Sequence, residues 1–149
     1  MSNGHAFKAF LGVDYGKKRI GLAYAVTPFF LSLPIGVLEA SKSLEATAQT
    51  LQKVIVDRQI TCVVLGNPLP MQRNQISPLQ EEITALAEKL KEIPLVDIVL
   101  WDERLSSAQA KRMLKHDCGL SRKQRKGKTD ALAATLILTS FLESSHEIT

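Results

Sequence analysis

The period of the apolar residues changes several times along this chain, and the order of those changes restricts the fold more than any other feature. Phe10–Asp14 and Arg19–Val26 are short apolar runs joined by Tyr15-Gly16-Lys17-Lys18, the pattern of a hairpin. Ile35–Glu39 predicts a third strand after the breaks at Pro28 and Pro34. From Ser43 to Arg58, Leu44, Ala48, Leu51, Val54 and Ile55 recur at helical spacing. Thr61–Gly66 is a β-rich run, followed by a loop to Ser77. There Ser77-Pro78-Leu79-Gln80 offers a cap, a proline at the first helical position and a glutamine at the third. Leu79, Ile83, Leu86 and Leu90 mark the apolar face of that helix. Leu95–Trp101 predicts a fifth strand, Ser106 with Gln109 a helix through about His116, and Thr129 a last helix through about Leu142. Three strands in a row, then helices alternating with strands, describe an α/β chain: a mixed five-stranded sheet with helices on its faces.

At 149 residues, with 45% hydrophobic and 23% charged, the chain suits a single domain over positions 1–149 with its own core. Composition excludes a disordered or collagen-like chain. The apolar runs fall far short of the ~20 residues of a membrane span. Met1–Phe10 shows no secretion signal and two cysteines frame no disulfide scaffold, so a cytoplasmic protein with a buried Cys62 is expected. Charge is unevenly spread. Positions 111–128 hold eight Lys or Arg against Asp117 alone, a window of +7 in a chain of net +4, leaving −3 for the rest. Such a run is either a solvated surface or a face that meets a polyanion, nucleic acid foremost.

Acidic residues stand where α/β sheets place their sites, at the carboxyl ends of parallel strands. Asp14 ends the first strand, Asp102-Glu103 the fifth, and Asp130 sits in the first turn expected for the last helix. Taken singly, each has a structural explanation: a turn former, a surface ion-pair group beside Arg104, a residue favoured by the helix dipole. Brought together they would repel one another unless a cation neutralised them, and hard oxygen ligands suit Mg²⁺ or Mn²⁺. The adjacent basic window would supply phosphate-binding charge. Gly127-Lys128-Thr129 is no phosphate-binding loop, since Arg122 stands at its first glycine position and no strand precedes it. Few aromatics argue against a stacking platform for single strands.

Gly12-Val13-Asp14-Tyr15-Gly16-Lys17-Lys18-Arg19-Ile20-Gly21-Leu22-Ala23 closely resembles the first motif of the YqgF family of Holliday-junction-resolvase-like proteins and pre-16S rRNA nucleases. Asp102-Glu103-Arg104-Leu105-Ser106 resembles its second motif, and Asp130-Ala131-Leu132-Ala133-Ala134 its terminal-helix motif. The likeness runs from about Phe10 to Leu142. It implies a ribonuclease H-like fold, sheet order 3-2-1-4-5 with helices on both faces, and a metal-dependent nuclease site. By position, Asp14 and Asp130 are the implied metal ligands for one or two Mg²⁺ or Mn²⁺. The third is Glu103 or Asp102, with Glu103 preferred for its reach and Asp102 kept as a catalytic neighbour. Arg104, Lys126 and Lys128 are the implied phosphate holders, and Arg122, Lys123 and Arg125 extend the same basic segment. The loop Gly66-Asn67-Pro68-Leu69-Pro70-Met71-Gln72-Arg73 departs from the family pattern at Asn67, Gln72 and Arg73, which bears on substrate placement.

The expected activity is hydrolysis of phosphodiester bonds in structured nucleic acid, with processing of the 5′ end of precursor 16S rRNA as the role. Resolution of branched DNA by the same chemistry is the nearest alternative, and a two-fold junction would favour a homodimer. A nucleic-acid-binding module that never cuts is a rival from another class. An ATP-binding fold of the actin and sugar-kinase type shares the Asp-x-Gly strand ending but needs two such domains, more than 149 residues supply.

Overall fold

The computed structural model describes residues 8–67, 77–102 and 122–148, with positions 29–30, 122–130 and 145–148 described by backbone alone. Its strands are β1 (Ala9–Tyr15), β2 (Arg19–Val26), β3 (Phe29–Glu39), β4 (Cys62–Asn67) and β5 (Asp97–Asp102). Its helices are α1 (Leu44–Asp57), α2 (Pro78–Leu90) and α3 (Arg122–Ile148). The strands form one sheet in the order β3-β2-β1-β4-β5. The hairpins β1–β2 and β2–β3 are antiparallel; β4 lies parallel to β1 and β5 parallel to β4. Expected topology and observed topology agree.

Period-two alternation assigns the side chains of β1 to two cores. Leu11, Val13 and Tyr15 join Val63 and Leu65 of β4 beneath α1 and α2, which contribute Leu51, Ile55, Ile83, Leu86 and Leu90. On the other face Ala23, Ala25, Cys62 and Val64 meet Ala134, Ile137, Leu138 and Leu142 of α3. Helices therefore cover both faces. Cys62 is buried as expected, and desolvation pushes its thiol up to about 11, with Asp97 adding to the rise. Among the described residues no helix is long and apolar enough to cross a membrane.

Local signals act where expected, with three differences. Ser43 and Ser77 cap α1 and α2, their hydroxyls accepting from the N–H groups of Ala46 and Gln80 at 3.1 Å each. The box at Ser77 is half made: Gln80 Oε1 is buried without a partner among the described residues instead of reaching back. The third strand begins at Phe29, not Ile35, and carries Pro34 within it. An edge strand tolerates a missing N–H, and register shifts opposite β2 absorb the irregularity. The last helix begins at Arg122 rather than Thr129 and runs to Ile148. Lys, Arg and Gln are good helix formers, and one interior glycine costs only ~1 kcal/mol, so the basic segment is helical. Asp130 is thereby the ninth residue of α3, beyond its first turn. The helix expected over 106–116 lies outside the described residues.

Candidate active site

Three parallel strands end at one edge of the sheet, and their register defines two rows there. Val13 pairs with Leu65, and Leu65 with Leu100, so Asp14, Gly66 and Trp101 form the next row. Tyr15, Asn67 and Asp102 form the row beyond it. Alternation places the rows on opposite faces. Asp14 shares its face with Phe10 and Gly12, beneath α3, and is half-buried. Asp102 shares its parity with Ile98, which packs into the α1/α2 core. Asp14 and Asp102, two of the four carboxylates that sequence singles out, thus belong to different sides of the sheet.

α3 approaches the Asp14 face closely because two glycines leave room. A methyl on Gly12 would stand 2.8 Å from the Ala134 carbonyl oxygen and 2.9 Å from Leu138 Cβ. One on Gly66 would stand 2.7 Å from Ile137 Cδ1. Farther back along β1, Phe10 meets Phe141 with ring centroids 6.3 Å apart. The helix therefore runs against the direction of β1. One turn before Ala134, about 6 Å along the axis, brings position 130 toward the end of β1 where Asp14 stands two residues past Gly12. Positions 130, 134, 137–138 and 141 share one helical stripe.

On the other face, the Tyr15 hydroxyl donates to Glu82 Oε1 at 3.2 Å. Burial, then the neighbouring Glu82 carboxylate, raises its pKa, which keeps the phenol a donor. Tyr15 is 8% exposed and packs in the core. Asn67 Oδ1 is buried with no hydrogen-bond partner among the described residues. On the α3 side, the Trp101 indole N–H donates to Ser140 Oγ at 3.1 Å, and the ring stands edge-on to Phe141 at 5.5 Å and 87°.

Glu103 and Arg104 lie outside the described residues, as do Gln72 and Arg73. Arg122, Lys123, Arg125, Lys126 and Lys128 fall within the first two turns of α3, and Asp130 in its third, one turn before Ala134, all by backbone alone. Among the described residues no three His, Cys, Asp or Glu converge. The glycine seat and the Trp101 anchor were not foreseen from sequence. An isolated glycine within an apolar strand, as at Gly12 and Gly66, is the available signal of a close backbone approach.

A family model described as "RuvX: Holliday junction resolvase" matches residues 8–144. The chain belongs to the RuvX (YqgF) family. This RuvX-family chain is 68% identical over 148 residues to a protein of Chlamydia felis named "Putative pre-16S rRNA nuclease", covering 99% of each. A protein of the same name from Chlamydia pneumoniae is 67% identical over 144 residues, 97% of this chain and 95% of the relative. Among solved structures, RuvC of T. thermophilus in complex with a Holliday junction superposes with a TM-score of 0.56 at 14% identity, covering 93% of this chain and 96% of that one. The Fowlpox virus resolvase bound to junction DNA gives 0.56 at 13%, over 91% and 97%. At such identities the likeness is one of fold, and it makes the RuvX-family sheet a ribonuclease H-like one.

Proposed function

We propose that this chain is a divalent-metal-dependent nuclease that hydrolyses phosphodiester bonds in structured RNA, processing the 5′ end of precursor 16S rRNA in the cytoplasm as one domain over positions 1–149. The observation that carries the reading is the placement of Asp14 at the carboxyl end of the central strand, on the face where α3 brings position 130 toward it. The full-length similarity to proteins named as pre-16S rRNA nucleases supports the choice of substrate.

The donor set fits a hard cation. Asp14 is half-buried beside an apolar layer, where a second carboxylate would be costly without a counter-charge. Alternation along β5 puts Val99 and Trp101 on the Asp14 face, and the next position of that parity is 103. This favours Glu103 over Asp102 as third ligand; Asp102, on the opposite face, would support the strand end from behind. Asp14, Glu103 and Asp130 would hold one or two Mg²⁺ or Mn²⁺. When bound, such ions supply an activated water and neutralise charge building on the phosphate. Arg104, Arg122, Lys123, Arg125, Lys126 and Lys128 would bind and orient the nucleic-acid backbone, and such contacts fix register without reading sequence.

The description of the matching family favours branched DNA as a second substrate, for which a homodimer would suit the two-fold junction. One cleavage assay with Mn²⁺ separates the readings, using precursor rRNA, a four-way junction, single-stranded RNA and duplex DNA. Cutting confined to precursor rRNA and abolished by Asp14→Asn is the expected result. Preference for the junction would replace the RNA reading, and binding without cutting on all four would replace the nuclease.

A further inference from the structure

The three strands that end at the candidate site are held unequally. β1 and β4 pair on both sides, whereas β5 is an edge strand with a single ladder. α3 sets its distance to β1 at Gly12, where it brings the Ala134 carbonyl oxygen and Leu138 Cβ, and it reaches β4 at Gly66 through the tip of Ile137. β5 it meets through longer side chains, Val99 and Trp101. The end of β5 nevertheless leads directly into Asp102-Glu103, so any slack there would be passed to the carboxylates.

We propose that Trp101 is a positioning residue, anchoring the carboxyl end of β5, which leads into the proposed ligand Glu103, to α3, so that this strand end keeps a fixed place relative to Asp14 and position 130. This rests on the metal-dependent reading above. The indole is held at two points: its N–H by Ser140 Oγ at 3.1 Å, and its ring by the T-shaped contact with Phe141. A hydrogen bond fixes the distance and the ring contact fixes the plane, so the side chain cannot turn about one without losing the other. Phe141 in turn packs on Phe10 of β1. A chain of three rings thus runs from the strand end at Trp101, through the helix carrying position 130, to the strand carrying Asp14. Packing alone would be served by any large apolar side chain; a donor aimed at Ser140 adds orientation.

The test is Mn²⁺ binding to the full chain without nucleic acid, read from the electron paramagnetic resonance of free Mn²⁺, for Trp101→Phe, Ser140→Ala and the double variant. Urea unfolding and the Mn²⁺ dependence of cleavage are measured in parallel. Either single substitution should weaken Mn²⁺ binding about three- to tenfold, at or below the ~10–100-fold typical of groups bonded directly to a metal ligand. The double variant should bind no worse than the weaker single, because both remove one contact. Extra Mn²⁺ should recover cleavage, and nucleic-acid binding in EDTA should not change. Ser140→Ala removes a single oxygen and keeps the test open if Trp101→Phe folds poorly. Wild-type Mn²⁺ affinity in both singles, with only the urea midpoint lowered, would make Trp101 a packing residue and overturn the proposal. If the wild type binds no Mn²⁺, the metal-dependent reading fails and this inference falls with it.

Discussion

Beneath α1 and α2 the sheet presents Leu11, Val13, Ile20, Leu22, Val63 and Leu65, met by leucines and isoleucines that are almost wholly buried. Beneath α3 it presents Gly12, Ala23, Ala25 and Gly66 beside Cys62 and Val64; Ala134 lies over Gly12, and Ile137, Leu138 and Leu142 fill the rest. The first layer is thick and buries much apolar area, at roughly 25 cal/mol per Å². The second is thin at Gly12, where small residues give up area and gain proximity, so the α3 backbone comes against the strand there. Large side chains can repack around a shifted helix, whereas backbone-level contacts have little room to relax. One face chiefly stabilises the fold and the other chiefly sets a distance, and Asp14 lies on the second.

Substitutions can break that division. The largest effect is expected for Asp14→Asn or Asp130→Asn, each abolishing cleavage while leaving binding in EDTA intact. Relief of carboxylate repulsion should leave the urea midpoint of the metal-free protein unchanged or slightly raised. If either variant cuts at the wild-type rate, the proposed site is wrong. Next, Leu86→Ala on the thick face should cost about 2–5 kcal/mol of stability, with normal cleavage per folded molecule. Gly12→Ala on the thin face should cost about 1–3 kcal/mol, because α3 must move off the strand, and should reduce cleavage well beyond the loss of folded protein. Full cleavage by folded Gly12→Ala would end the distance-setting account.

A smaller effect is expected from charge. Neutralising Arg122, Lys123, Arg125 and Lys126 together should weaken binding to all substrates and lower the log–log salt slope by at most about 3.6 on duplex DNA. Titration in EDTA over several salt concentrations checks this, and an unchanged slope would leave the segment a solvated surface. Smallest is Tyr15→Phe, which removes the bond to Glu82 and should cost about 0.5–1.5 kcal/mol. The folded phenol has a raised pKa, so the unfolded chain loses its proton first. Stability from this group is therefore complete below the ordinary value of 10.0 and declines as pH climbs past it toward the folded pKa. Urea midpoints of the Tyr15→Phe variant should fall less steeply over that alkaline range.

Element order and the cap at Ser77 could be read from the sequence because they depend on neighbours within one turn or one strand. The resemblance added the sheet order, through motifs that end strands. The start of α3 was missed for an equally local reason. Arg122–Lys128 favours a helix, yet a dense run of like charge and Gly127 look the same as a solvated loop, and Thr129 resembles a cap. The choice between Asp102 and Glu103 is of another kind. Ile98, Val99, Leu100 and Trp101 are apolar on both parities, so the sequence has no phase for β5. Only the packing of Ile98 with one core and Val99 with the other supplies it. The Trp101–Ser140 bond spans 39 positions and has no local signature at all.

Pro34 has a consequence for how this molecule behaves in company. β3 forms one border of the sheet, and the ten residues from Phe29 to Leu38 carry no charge. Leu31 and Leu33 stand 66% and 52% exposed along it. A border of that composition is a template for adding a foreign strand, and charged side chains are the commoner guard against it. Here the guard is made of backbone. Proline offers no N–H to an incoming strand, and Gly36, at φ 138°, bends the line that such a strand would have to follow. Replacing Pro34 with valine would restore the missing donor and leave Gly36 as the remaining guard, turning a protected margin into a more adhesive one.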